Sequence, residues 1–226
     1  MLLAPDEAHH AKRVLRLGAG AVVFVTDGDG RVARGTIVGD DAGRVAAPTA
    51  ARRRHERPLP EITVFQGAAK GAKLDHVTER LAQLGVADLR VFHSRRAVVR
   101  WDRRKRELLD ERWRAVARSA AKQSRSPFVM STARPMTWEE LVSSVAEHER
   151  VLVAWEKATK RLREALADAA RVALVVGPEG GLEDAETRAL EAVGASIVSL
   201  GGPILRTEDA AVVAASAILY RYGIIG

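Results

Sequence analysis

The sequence predicts an α/β protein in which a small, mostly β module precedes a larger domain built on a mostly parallel sheet. Two observations carry this. The first sixty residues hold short β-type runs separated by Gly- and Asp-rich turns, and from Glu61 onward strand-like and helix-like segments alternate. With nearly half of its 226 residues apolar, the chain can build a core. Aromatic residues are few, so that core must rest mainly on Val, Leu, Ile and Ala.

In the N-terminal module, Glu7–Leu17 has helical character and Gly18 would end it. Ala21–Thr26 and Arg31–Val38 are β-type runs joined by Asp27-Gly28-Asp29-Gly30, a hairpin signal. A third run, Arg44–Ala47, follows Asp40-Asp41-Ala42-Gly43, and together these suggest a barrel-like module. Ala51–Pro60 (ARRRHERPLP) has four Arg, two Pro and no periodicity, which suits a linker.

The second domain is expected to begin with a strand at Ile62–Phe65, a helix at Leu74–Leu84 closed by Gly85, and a strand at Leu89–Phe92. A long helix follows at Arg103–Lys122, with Leu108, Leu109, Trp113, Val116 and Ala120 on its apolar face. Thr137 is placed to cap a helix over Trp138–Ala146. Strands are then expected at Val151–Trp155, Val172–Val176 and Ser196–Leu200, with helices at Arg161–Ala169, Asp184–Val193 and Asp209–Tyr222. Ligands of open α/β sheets sit beyond the carboxyl ends of strands. If the strands ending near Trp155, Val176 and Leu200 are neighbours, their loops converge on one site.

Composition narrows the function. There is no Cys, which excludes disulfides, Cys-bound zinc and iron–sulfur clusters and fits a reducing cytoplasm. The six His residues show no metal-ligand spacing, so no metal is expected. The N-terminus mixes acids and bases and lacks the apolar stretch of a signal peptide. The longest nearly apolar run, Ala210–Tyr220, is shorter than the about 20 residues that span a bilayer. A soluble cytoplasmic protein without a membrane partner is expected.

The net charge is +7, but its distribution is more informative. Between Arg90 and Arg125 stand thirteen Lys or Arg against four acids, a local excess of nine. Phosphate backbones are the common partner of such a stripe, because binding releases condensed counterions. A solvated Arg-rich helix is the plainer alternative. Arg13, Arg16, Arg52–Arg54 and the Arg95–Arg106 stripe, including Arg95, Arg103 and Arg104, are the phosphate candidates.

Two motifs near the C-terminus follow strands. In Val175-Val176-Gly177-Pro178-Glu179-Gly180-Gly181-Leu182, the glycines let backbone groups approach a ligand closely. The spacing is neither a dinucleotide fingerprint nor a P-loop. In Leu200-Gly201-Gly202-Pro203-Ile204-Leu205-Arg206-Thr207-Glu208-Asp209-Ala210, Thr207 or Asp209 could cap the last helix. Arg206 and Glu208 could form an ion pair at the helix start.

Together these motifs resemble the RsmE family of 16S rRNA (uracil-N3)-methyltransferases, of the SPOUT class, which pairs a G-P-E-G-G loop with an L-G-x-x-I-L-R-x-E-x-A segment. Weaker upstream resemblances are Val14-Leu15-Arg16 after His9-His10, Leu84-Gly85-Val86, and Gln123-Ser124-x-Ser126-Pro127. The resemblance spans essentially the whole chain. Departures are Gln83 and Lys122 where the family usually has Glu, Pro203 for Arg and Asp209 for Thr; Arg125 lies beside the family's usual Arg and is carried over as an RNA contact.

The resemblance implies a PUA-like β-barrel over 1–58 that binds RNA and a SPOUT α/β domain with a trefoil knot over 61–226. The implied reaction is S-adenosylmethionine-dependent methylation of N3 of a uridine in 16S rRNA, within a small-subunit particle, by a homodimer. The implied cofactor residues are Ala154, Trp155, Glu156, Val176, Gly177, Pro178, Glu179, Gly180, Gly181, Leu200, Gly201, Ile204 and Leu205. Arg206 would stabilise the developing uracil anion, and Glu208 would orient Arg206 or the base. Two alternatives stay open: a SPOUT methyltransferase acting on tRNA or a ribose 2′-hydroxyl, and a non-catalytic RNA-binding assembly factor.

Overall fold

The computed structural model describes residues 1–39, 43–46 and 52–226. The expected turn residues Asp40, Asp41 and Ala42, the run end Ala47 and the linker start Ala51 lie outside the described residues. The chain divides into two compact units, Met1–Arg57 and Pro58–Gly226.

In the first unit, α1 (Pro5–His9) starts on a proline, which suits a first helical turn. It passes into a π-helical turn over His10–Val14 and ends before Arg16, whose φ is +53°. The regular helix expected over Glu7–Leu17 is therefore short: Ala11 is its buried residue, so little packing holds it straight. Strands β1 (Val22–Thr26) and β2 (Arg31–Ile37) form the expected hairpin, in register from Val22 opposite Thr36 to Thr26 opposite Val32. The Asp27 carboxylate sets the turn by accepting from the N–H groups of Asp29 at 2.8 Å and Arg31 at 3.1 Å.

The other edge of β2 is shared. β3 (Val45–Ala46) pairs with one end and β4 (Arg52–Arg54) with the other. The expected linker thus contains a strand. Its three Arg side chains are exposed and only its backbone engages β2, so hydrophobic patterning carries no sign of it. The described residues make an open four-stranded antiparallel sheet rather than the closed barrel expected. Its small core gathers Ala11 and Ile37 with Leu17, Ala21 and Val23.

The second unit is a six-stranded, wholly parallel sheet in the order β10-β8-β9-β5-β6-β7. Its elements are β5 (Glu61–Gly67), α2 (Lys73–Leu84), β6 (Asp88–Phe92), α3 (Arg103–Ser124), β7 (Ser131–Thr132), α4 (Trp138–Val145), β8 (Arg150–Ala154), α5 (Leu162–Ala165), β9 (Arg171–Val176), α6 (Asp184–Ala192), β10 (Ser196–Val198) and α7 (Thr207–Arg221). The central strands send alternate residues to two cores, as the period of two requires. Ile62, Val64, Leu152, Leu174 and Val176 meet α2, α3 and α7, whereas Phe65, Val151, Val153 and Val175 meet α4 and α6.

Three details differ from expectation. α5 spans four residues, not Arg161–Ala169, because Leu166 turns extended after Leu162 and Ala165 are buried. The buried line of α3 is Trp113, Ala117, Ala120 and Ala121, while Leu108 faces outward. β7 has two residues, too few to show periodicity. The cap of α4 is as expected: Thr137 accepts from Glu140 N–H at 3.2 Å, and Glu140 accepts in return from Thr137 N–H at 2.8 Å.

Candidate active site

β10, β8 and β9 lie side by side and parallel, so the loops leaving them emerge at one edge of the sheet. A fourth strand end joins them, because β5 is the other neighbour of β9. The first loop leaves β8 at half-buried Ala154. Trp155 takes its N–H to the Val198 carbonyl at 2.9 Å and its indole N–H to the Leu182 carbonyl at 3.3 Å, tying this loop to the end of β10 and to the segment after β9. The Glu156 carboxylate approaches Gly181.

The second loop leaves β9 at buried Val176 and is pinned from beneath. Gly67, the last residue of β5, lies so close to Pro178 that a Cβ there would sit 2.2 Å from the proline nitrogen. The Gly177 carbonyl accepts from the Thr207 hydroxyl, which accepts in turn from Gln66 Nε2 at 2.7 Å. Thr207 therefore does not cap α7, and neither does Asp209. The helix is preceded by Arg206 without a side-chain cap, because the threonine hydroxyl is committed to the second loop. At the far end of the loop, Arg96 donates to the Gly180 carbonyl at 3.3 Å.

The third loop leaves β10 and runs through Leu200 to Leu205. Gly201 has φ +77°, a conformation that favours glycine, and a Cβ there would meet nothing closer than Arg161 at 3.8 Å. Leu200 and Leu205 are half-buried, whereas Ile204 is 86% exposed. An exposed isoleucine beside two leucines and open glycine backbone makes an apolar wall with room in front of it.

Charge links the loops in a way the motifs did not reveal. Lys73, at the start of α2, contacts Glu179 of the second loop at 3.2 Å and Glu208 of α7 at 3.4 Å. The Lys70 N–H also donates to Glu179, at 3.2 Å. Burial opposes charge on Lys73, but Glu179 and Glu208 outweigh it and raise its pKa above 10.5. Burial likewise opposes charge on Glu179; its own N–H, that of Lys70 and the Lys73 ammonium prevail and hold its pKa below 4.5. Arg206 is exposed and forms no ion pair among the described residues, so the expected Arg206–Glu208 pair is replaced by Lys73–Glu208.

Sequence reasoning missed Gln66, Gly67 and Lys73. The available signal was the strand end Gln66-Gly67 followed by Lys70-Gly71-Ala72-Lys73 at the carboxyl edge of the sheet. Of the expected phosphate contacts, Arg13 and Arg16 are exposed in the first unit. In the second, Arg95, Arg103, Arg104 and Arg125 are exposed; Arg103 pairs with Glu107 at 3.1 Å and Arg95 with Glu183 at 3.7 Å. Among the described residues no cluster of three or more His, Cys, Asp or Glu could hold a metal, and no helix is long and apolar enough to cross a membrane.

Known proteins resemble this chain in sequence and fold. Residues 55–219 match the model of an RNA methyltransferase domain, and residues 3–47 that of an RNA methyltransferase PUA domain. The ribosomal RNA small subunit methyltransferase E of Mycobacterium tuberculosis is 37% identical over 94% of this chain and 83% of its own length; that of Bacillus subtilis is 28% identical over 96% and 88%. Among solved structures, a protein of Legionella pneumophila described as a methyltransferase with bound cofactor SAM aligns with TM-score 0.88, 27% identity and coverage of 98% of this chain and 91% of that one. The Neisseria gonorrhoeae ribosomal RNA small subunit methyltransferase E, bound to S-adenosyl methionine, aligns with TM-score 0.84, 25% identity and coverage of 96% and 90%. Fold, PUA domain and loop site thus define an RNA methyltransferase. Within that class, the chain belongs to the ribosomal RNA small subunit methyltransferase E (RsmE) family.

Proposed function

We propose that this protein methylates N3 of a uridine in 16S rRNA of the small subunit, using S-adenosylmethionine held by the three loops after β8, β9 and β10. The observation that carries the reading is the convergence of these loops at one sheet edge, with open glycine backbone beside Leu200, Ile204 and Leu205. The fit is good: glycine leaves backbone donors and acceptors accessible, and the three aliphatic side chains suit the faces of an adenine. Ala154–Glu156, Val176–Gly181 and Leu200–Leu205 would hold the cofactor. When bound, S-adenosylmethionine supplies a methyl group already activated by its sulfonium charge.

The chain's own task is to position the base and manage its proton. N3 of uridine lies on the Watson–Crick edge and carries a hydrogen, so the base must be unpaired to present it. Loss of that proton leaves negative charge on the ring. Arg206, exposed at the start of α7 with no carboxylate partner among the described residues, would stabilise that charge. Glu208 acts through Lys73, holding the second loop in place. PUA-like residues 1–58 and the basic stripe would bind RNA, and 61–226 would form the SPOUT domain with a trefoil knot. The protein would act in the cytoplasm as a homodimer on a small-subunit particle, without metal or membrane.

Mass spectrometry of small-subunit rRNA from a deletion strain tests the reading. One N3-methyluridine should disappear and return on complementation; an unchanged methylation pattern would refute the target. An Arg206→Ala variant should fold normally and lose on the order of a hundredfold in kcat. Full activity in that variant would remove Arg206 from the mechanism.

A further inference from the structure

None of the loops above explains a separate cavity of about 500 Å³ in the second unit. It is walled by the segment that continues from β6, by the beginning of α3, and by the starts of α4 and α6. Its volume falls within the roughly 300–1,000 Å³ typical of small-ligand sites. Six residues give it its character: His93, Ser94, Arg100, Trp101, Arg106 and Trp138.

The cations there are poorly neutralised. Arg100 donates to the Ser94 carbonyl at 3.2 Å and Arg106 to the Trp101 carbonyl at 3.1 Å. Neither forms an ion pair among the described residues. The acids nearby are engaged or peripheral. Glu186 gives its two oxygens to the N–H groups of Arg95 and Glu183, each at 2.8 Å, Glu140 binds Arg134 and caps α4, and Glu139 lies exposed at the rim. Two guanidiniums fixed by main-chain carbonyls are preorganised for an anion.

The same cavity has planar walls. The Trp101 ring is braced against His93 at 5.1 Å and Trp113 at 6.3 Å, and Trp138 is braced against Phe92 at 6.0 Å. Two further lining residues, Ser94 and His93, carry buried polar atoms without partners among the described residues. Ser94 is 1% exposed and its hydroxyl makes no hydrogen bond, and neither ring nitrogen of His93 makes one of good geometry. Burial, with Arg100 and Arg106 beside it, holds the His93 pKa below its ordinary value, so the ring can both donate and accept at neutral pH. Buried polar groups left unpaired in a folded protein call for an explanation, and a ligand that satisfies them is one.

We propose that this cavity is a second RNA subsite. It takes one nucleotide of a single-stranded segment, with its phosphate on Arg100 and Arg106, its base against the Trp101 and Trp138 indoles, and its polar edge on Ser94 and His93. An anion alone would need the arginines but not the indoles, and an apolar ligand the reverse; a nucleotide uses both. The proposal rests on the RNA reading given above. It adds that the substrate strand is gripped at a point distinct from the three loops that serve methyl transfer.

The test uses the full chain and a short single-stranded oligoribonucleotide carrying 4-thiouridine. Photo-cross-links should map to peptides containing His93–Trp101 or Thr137–Glu139. By fluorescence anisotropy, Arg100→Gln and Trp101→Ala should each weaken oligonucleotide binding about tenfold, with Trp101→Phe near wild type because a stacking ring remains. Circular dichroism checks the fold, and Arg100→Gln, at an exposed side chain, tests the site even if Trp101→Ala is unstable. Cross-links confined to other peptides, or unchanged binding in Arg100→Gln, would overturn the proposal. So would uridine monophosphate binding at the cavity where the oligonucleotide does not, since the ligand would then be a free nucleotide. S-adenosylmethionine affinity, measured in parallel, separates the two readings: its absence in the wild type would refute the methyltransferase function and leave the cavity result standing.

Discussion

Gly67 is where a single hydrogen atom decides whether the second loop can exist. A Gly67→Ala methyl would sit 2.2 Å from the Pro178 nitrogen, against backbone that cannot swing away. We expect a loss of about 1–3 kcal/mol, the usual range for overpacking, and a marked fall in S-adenosylmethionine affinity, read by thermal denaturation and calorimetry. Unaltered affinity would mean that the loop tolerates displacement. Lys73 tests the electrostatic side. Its half-exposed contacts to Glu179 and Glu208 should be worth on the order of 1 kcal/mol, so Lys73→Met should lower stability by that amount at neutral pH. The sign of its pH dependence follows from the two shifts. Glu179 titrates below 4.5 when folded, so its share is complete above that pH and is lost as pH falls through the lowered value. Lys73 titrates above 10.5 when folded, so its share is complete below that pH and is lost as pH rises through the raised value. The stability gap between wild type and Lys73→Met should therefore be flat from about pH 5 to 10 and close below about pH 4. A gap that widened in acid would contradict the assignment. Neither Gly67 nor Lys73 was visible as functional in the sequence, because each acts on a loop more than a hundred positions away.

Among the elements, α7 joins the most distant parts of the site. Its first residue, Thr207, ties the Gly177 carbonyl to Gln66 of β5, and its buried face of Ala210, Ala211, Ala214, Ala215, Ile218 and Leu219 packs on the sheet core. Thr207→Val keeps the shape and removes the hydroxyl. The buried Gly177 carbonyl would lose its partner at a cost of about 1–3 kcal/mol, and the Gln66 amide would keep only its longer 3.4 Å bond to the Gly67 carbonyl. The expected readout is a lowered Tm with S-adenosylmethionine affinity reduced more than in a neutral substitution on the exposed face of α7. Equal stability would show that water replaces the hydroxyl. The helix itself was legible from its apolar run, and so were the hairpin at Asp27, the Thr137 cap and most strand positions. β4 was not legible, because three exposed arginines conceal a strand that only its backbone defines. The extent of α5 was not legible either, since Leu166 leaves the helix where the chain must turn back toward β9.

For the whole molecule, the outer face of α7 bears on assembly. Val213 is 46% exposed and Tyr220 71% exposed on a helix whose stretch from Ala210 to Leu219 is apolar apart from Ser216. If the homodimer proposed above forms through this face, Val213→Asp combined with Tyr220→Asp should yield monomers in analytical ultracentrifugation, since a buried unpaired carboxylate strongly opposes association. A dimer of undiminished affinity would move the interface elsewhere. Because S-adenosylmethionine is expected to bind without the partner's help only weakly if the site is completed across the dimer, the same variant measures whether assembly and cofactor binding are coupled.

By itself the sequence determined the fold class, the order of strands and helices in the second unit, and the two loop motifs that carry the family resemblance. Those follow from local causes: periodicity of two or of about 3.6, turn chemistry, and glycine at strand ends. Tertiary structure alone decided which strands are neighbours, that β5 and the start of α2 bring Gln66, Gly67 and Lys73 to loops far along the chain, that Glu208 pairs with Lys73 rather than Arg206, and that two arginines and two tryptophans line a cavity beside polar groups unpaired among the described residues. The physical reason is that parallel sheet pairing joins segments without regard to their separation in sequence, so the contacts that shape the site have no local signature.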